Sequence, residues 1–267
     1  MDKNGEKNGE VFCEGRREDL LPRRLLAAAE LIPSCGTVCD VGCDHGYLSI
    51  YLLQHKKARR VIAMDVNQGP LERAGENVAL FGLEEQMELR RSDGLAKVAP
   101  GEADFFVCAG MGGKLIMKIM SDHPEVTASM KGALLQPQSD LRQVRRFVYA
   151  LGWHIETEEI VFEEDGGGKK TGKYYPMFLI QPGQEELPPE AELAYGNLTK
   201  QKNPEVLQDF LQYQLKIKRE AQEQVRNSTT ERSLKRFSQL KKEIEEVEAV
   251  RLHLSARSTG IKKQKTE

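Results

Sequence analysis

From Leu20 onward the apolar residues change spacing repeatedly, and each change predicts a boundary between a helix and a strand. Residues 21–30 have helical character, with Pro22 near the first turn and Pro33-Ser34-Cys35-Gly36 as the stop. Thr37-Val38-Cys39-Asp40-Val41 is short and rich in β-formers. Helical spacing returns over 46–55, a strand follows at 60–65, and another helix at 70–81. The alternation continues with a strand at 87–90, a turn at Ser92-Asp93-Gly94, and the apolar run Phe105-Phe106-Val107-Cys108-Ala109. Such an unbroken run suits a strand buried on both faces of a parallel sheet. A helix over 114–121, a strand over 132–136 and a helix over 141–151 complete this part. Residues 153–163 and 174–181 then read as two long strands joined by the glycine- and lysine-rich segment 163–172, the pattern of an antiparallel pair. The prediction is an α/β sheet of five parallel strands closed by an antiparallel pair.

Beyond a polar linker at 184–190 the spacing becomes purely helical, over 204–225 and 233–254. In the second helix Leu234, Phe237, Leu240, Ile244, Val247 and Leu254 recur at steps of three, four or seven residues, with one break at Arg251. An antiparallel coiled-coil hairpin is expected. The domain reading is a flexible extension at 1–19, an α/β domain at 20–184, a helical hairpin at 185–256 and a basic tail at 257–267.

Charge separates along the same line. Residues 196–267 hold 16 Lys+Arg against 10 Asp+Glu, a balance of +6, which leaves −8 on residues 1–195. A basic appendage on an acidic body fits contact with a polyanion, and equally fits a solvated helical face. The chain has 267 residues, 39% hydrophobic and 30% charged, with no run approaching the roughly 20 apolar residues of a membrane span. Its first residues lack the apolar core of a signal peptide, so a cytoplasmic location without membrane partners is expected. Cys35, Cys39 and Cys43 are spaced C-x3-C-x3-C, wider than the usual C-x2-C of metal sites. They read as buried reduced thiols, and no metal is expected.

The candidate chemistry lies where predicted strands end. Asp40-Val41-Gly42-Cys43-Asp44-His45-Gly46 places glycines where backbone must approach a ligand, just before a helix. Its spacing is G-x-x-x-G, which argues against the G-x-G-x-x-G cradle for a pyrophosphate. An acid immediately before such a loop suits the cationic amino end of S-adenosylmethionine. Asp65 ends the second strand, where a carboxylate can accept ribose hydroxyls, and Asp93 beside Gly94 follows the third, where it can accept from an adenine amine. Each acid alone has a turn or cap role open to it. Together they point to one adenosine-containing ligand across the carboxyl edge of the sheet. Periodicity alone leaves an ordinary dinucleotide-binding domain open.

Residues 40–48, Ala109-Gly110-Met111-Gly112-Gly113, Leu135-Gln136-Pro137 and Glu163-Glu164-Asp165-Gly166, in this order, resemble the TrmK family of bacterial tRNA (adenine-N1)-methyltransferases. The resemblance covers about residues 20–255. It implies a Rossmann-like class I S-adenosyl-L-methionine-dependent methyltransferase fold of seven strands with a C-terminal coiled-coil hairpin, acting on N1 of adenosine 22 in the D-arm of tRNA. It implies cofactor contacts from Arg24, Asp40, Gly42, Asp65, Asp93, Gly94 and the Ala109-Gly110 backbone. Asp44 is the implied catalytic carboxylate, with His45, Tyr47 and Gln138 around the target base. Where this chain has Gln138 and Ser49, the family pattern often has Asn and Pro. A small-molecule or protein methyltransferase, or a non-catalytic RNA-binding module, are the competing readings. A monomer is the expected state.

Overall fold

A computed structural model describes residues 21–164, 172–197 and 199–264, with side chains as far as Leu252. The expected extension at 1–19, most of the glycine-rich loop (165–171) and the last three residues lie outside the described residues. Strands β1 (Cys35–Val41), β2 (Ala58–Asp65), β3 (Met87–Arg91), β4 (Phe105–Met111) and β5 (Gly132–Pro137) alternate with helices α1 (Arg23–Leu31), α2 (Tyr47–Gln54), α3 (Gln68–Leu80), α4 (Gly113–Asp122) and α5 (Pro124–Ser129). After α6 (Leu141–Ala150) come β6 (Trp153–Glu164) and β7 (Gly172–Pro182). Helices α7 (Glu190–Tyr195), α8 (Pro204–Arg226) and α9 (Glu231–Gln264) follow.

Among the described residues the strands form one seven-stranded sheet in the order β3-β2-β1-β4-β5-β7-β6. β1 to β5 pair in parallel, while β7 is antiparallel to both β5 and β6, as the spacing predicted. The apolar strands are covered on both faces. Val38, Val107 and Leu134 pack with α1, α2 and α3 on one side. Cys39, Phe106, Cys108 and Leu135 pack with α4 and α6 on the other. Cys39 and Cys43 therefore belong to cores on opposite faces of the sheet.

The C-terminal helices pack as the expected hairpin, with Leu207, Phe210, Leu211 and Leu215 of α8 against Val247 and Val250 of α9. Two details differ from the periodicity. Leu234 is 56% exposed, and Val250 rather than a residue at 251 continues the buried stripe. Helix α9 also runs on to Gln264, into the stretch read as a tail. No helix among the described residues is long and apolar enough to cross a membrane.

Candidate active site

Strands β1 to β5 point the same way, so their carboxyl ends share one edge, and the loops that carry the candidate chemistry converge there. The chain leaves β1 through Gly42, at φ +74°, whose amide and that of Cys43 both donate to the Met64 carbonyl of β2, at 2.8 and 2.9 Å. A Cβ at Gly42 would lie 2.5 Å from Met111 Cε at the end of β4, so the loop passes close beneath that side chain, and its positive φ favours glycine. Gly46, at φ +73°, opens α2, and a Cβ there would press on Ala74 Cβ of α3 at 3.0 Å.

Between these glycines the chain turns outward at Asp44, a non-glycine residue at φ +50°. Its carboxylate is 69% exposed and lies 3.4 Å from the Arg73 guanidinium of α3 and 3.7 Å from His45 Nε2. The His45 carbonyl accepts from Asn77 Nδ2 at 2.9 Å, which pins the loop to α3. The His45 and Tyr47 rings stack with centroids 5.9 Å apart and planes 16° from parallel. A carboxylate, a cation and two flat rings thus share one face of the loop.

Asp40 lies beneath, 3% exposed, with Oδ2 accepting the Ser49 hydroxyl at 2.6 Å. Burial pushes its carboxyl up to about 6, opposed by the Ser49 hydrogen bond and reinforced by Asp65. Asp65 ends β2 and accepts the Asn67 amide at 2.8 Å. Ser92, which leads into the Asp93-Gly94 turn, donates its amide to the Asp65 carbonyl at 3.0 Å. Gly94 takes φ +55°, and a Cβ there would meet Ile119 at 2.9 Å. The three acids thus stand side by side on β1, on β2 and just after β3.

The β4 loop brings Ala109 and Gly110 to the same edge, and Gln138 after β5 donates its amide to the Met111 carbonyl at 2.8 Å. Its side-chain Nε2 would be 3.6 Å from a Cβ on Gly110, so Gln138 overlies that glycine. Arg24, at the start of α1, reaches this edge tied down: its backbone amide and Nη1 donate to Glu163 of β6 at 2.7 and 3.0 Å, and its guanidinium lies 5.3 Å from the Tyr175 ring centroid. An open groove of about 830 Å³ runs from Gln138 toward the hairpin, past Arg142, Lys218, Arg236 and Lys242. Among the described residues no cluster of His, Cys, Asp or Glu is placed to hold a metal ion.

The family model described as a methyltransferase domain matches residues 21–167. The tRNA (adenine(22)-N(1))-methyltransferase of Bacillus subtilis (strain 168) is 32% identical over 166 residues, 62% of this chain and 67% of that protein. The crystal structure of the B. subtilis M1A22 tRNA methyltransferase TrmK has a TM-score of 0.74 at 29% identity, covering 86% of this chain and 98% of that one. The chain belongs to the TrmK family. A Streptococcus pneumoniae protein solved in complex with S-adenosyl-L-methionine is also similar to this TrmK-family chain, at 26% identity and a TM-score of 0.73, covering 86% of this chain and 99% of that one.

The candidate residues of the β1, β2, β3, β4 and β5 motifs in this TrmK-family chain therefore stand at the carboxyl edge of the sheet or on the loops leaving it, while Asp165 and Gly166 lie outside the described residues. The groups that sequence reasoning did not reach are their partners. Arg73 and Asn77 are 29 and 32 residues from the groups they hold, inside an ordinary amphipathic helix that carries no motif. Ser49 is visible in the sequence only as a departure from the family pattern, not as the partner of Asp40.

Proposed function

We propose that this chain is an S-adenosyl-L-methionine-dependent tRNA methyltransferase that modifies N1 of adenosine 22, with Asp44 as its catalytic carboxylate. The observation that supports this most directly is the placing of Asp40, Asp65 and the Asp93 turn along adjacent strands beside the exposed Asp44, in a chain so similar to the B. subtilis enzyme. The edge suits the cofactor on its own chemistry. It offers acids for an ammonium group, ribose hydroxyls and an adenine amine, and at Gly42 a backbone that carries no side chain of its own. The bound cofactor supplies a sulfonium methyl group open to in-line displacement.

The N1 lone pair of adenine lies in the ring plane, so the protein's task is alignment more than covalent help. Asp44 accepts a hydrogen bond from the exocyclic amine, which raises electron density at N1 and stabilises the positive charge of the methylated ring. Arg73 fixes the direction of that carboxylate. His45 and Tyr47 present the rings on which the base stacks, and Gln138 meets it from the β5 side. N1 belongs to the pairing edge, so the adenosine must be swung out of its helix to be reached. The α8–α9 hairpin, which carries 13 Lys+Arg against 9 Asp+Glu over 204–264, holds the folded RNA, and the groove beside Arg142, Lys218 and Lys242 leads from it toward Gln138.

The test is transfer of labelled methyl from S-adenosylmethionine to an unmodified tRNA transcript, with mapping of the product. The expected result is N1-methyladenosine at position 22. Methylation elsewhere, or of proteins or small molecules instead of tRNA, overturns the reading.

A further inference from the structure

We infer that Ser49 is a positioning residue for the methyl donor: its buried hydroxyl holds the Asp40 carboxylate in the ionised state and orientation that receive the donor's ammonium group. The inference rests on the reading of Asp40 as a cofactor residue. Helix α2 is apolar around this position, with Leu48, Ile50, Tyr51, Leu52 and Leu53 all buried, and Ser49 itself is fully covered. A hydroxyl in such surroundings is costly unless it is hydrogen-bonded, and Asp40 Oδ2 at 2.6 Å is the partner it has. The bond joins β1 to α2 across the whole Gly42–Gly46 loop, so it also fixes the two ends of the segment that carries Asp44.

The surroundings of Asp40 leave the hydroxyl without help. The acid facing it is Asp65, which disfavours a second negative charge, and the neighbouring thiols of Cys39, Cys43 and Cys108 are all pushed upward by burial and stay neutral. Among the described residues, the forces acting on Asp40 are burial, the Ser49 hydroxyl and Asp65, with no cation among them. A buried carboxylate with one donor and no counter-ion is poised to take a cation from outside, and Ser49, by occupying Oδ2, leaves Oδ1 for it.

The experiment is calorimetric titration of the full-length protein with S-adenosylhomocysteine, which carries the same ammonium group, between pH 5.5 and 8. Wild type, Ser49→Ala, Ser49→Thr, Asp40→Asn and the Asp40→Asn/Ser49→Ala double variant are compared, each checked for an intact thermal unfolding transition. In the wild type, affinity should fall as pH drops through the Asp40 titration. Ser49→Ala should move that fall to higher pH by about one unit, a loss of roughly tenfold at pH 6 that narrows toward pH 8. Ser49→Thr should restore the wild-type profile, and Ser49→Ala should change nothing further once Asp40 is Asn. An equal loss from Ser49→Ala in both backgrounds, or an unmoved pH profile, overturns the role of Ser49 while leaving Asp40 in place. Unchanged affinity in Asp40→Asn alone overturns the reading of Asp40, and the inference with it.

Discussion

Asp44 occupies the left-handed region of backbone space at φ +50°, where a Cβ is disfavoured and Asp or Asn is tolerated better than most residues. This affects how its role is tested. Ala at this position adds backbone strain of about 1 kcal/mol to the loss of the carboxylate, whereas Asn keeps the conformation and removes only the charge. Asp44→Asn is expected to lower kcat about 100-fold or more with little change in cofactor affinity, measured by single-turnover methylation alongside calorimetry. Asp40 makes a different prediction. Its carboxyl is raised from 3.8 to about 6, so the native state holds the proton more tightly than the unfolded chain does. Stability from this group is full below about pH 4 and lost as pH rises through 6, a cost of up to about 3 kcal/mol in the protein without ligand. Asp40→Asn should therefore melt above the wild type at pH 8 and lose that advantage toward pH 4, as followed by scanning calorimetry. Asp40, Asp65 and Asp93 were legible in the sequence because each sits at or just beyond the end of a predicted strand. Arg73 was not, since an arginine on a helix looks the same whether it faces solvent or a loop 29 residues back.

Among elements, the long ones follow from periodicity and the short ones do not. Helices α5 and α7 have six residues each, less than two turns, too few for a period of 3.6 to show. Yet α7 forms part of the seam between sheet and hairpin. Arg145 of α6 and Glu158 of β6, each only 2% exposed, pair at 3.0 Å, and Arg145 also donates to the Leu193 carbonyl of α7 while Gln201 donates to Glu158. The guanidinium lies 4.4 Å from the Phe178 ring centroid. Nothing local marks this pair, because an arginine and a glutamate are ordinarily surface residues. Glu158→Leu strands a buried cation and should cost about 3–5 kcal/mol, and adding Arg145→Met should recover a large part of the loss. Urea unfolding of the two variants measures both.

For the whole molecule, the positive charge read from the sequence falls mainly on the hairpin, where α8 and α9 with their connection hold 13 Lys+Arg against 9 Asp+Glu over 204–264, while the stretch 185–195 that joins it to the body is acidic. Many of the hairpin's charges are spent within the protein, as in Lys218 with Glu243 and Arg219 with Glu248. Lys241 and Lys242 are exposed on α9 and are better probes of RNA contact. Replacing both by Glu should weaken tRNA binding and flatten its dependence on salt, while leaving S-adenosylhomocysteine affinity unchanged. The hairpin also has a consequence for how the protein is made. Strand β6 is the last in the sheet, and its outer edge is closed at Glu158, whose amide donates to the Lys200 carbonyl at 2.8 Å and whose carbonyl accepts from Lys202 at 2.9 Å. These partners are translated after the complete sheet. A nascent chain on the ribosome therefore carries an open strand edge, with the Arg145–Glu158 pair still lacking Leu193 and Gln201, until the polypeptide beyond residue 202 has emerged. Slow translation through residues 185–202 would prolong that interval, and chaperone capture or aggregation of stalled chains should peak there.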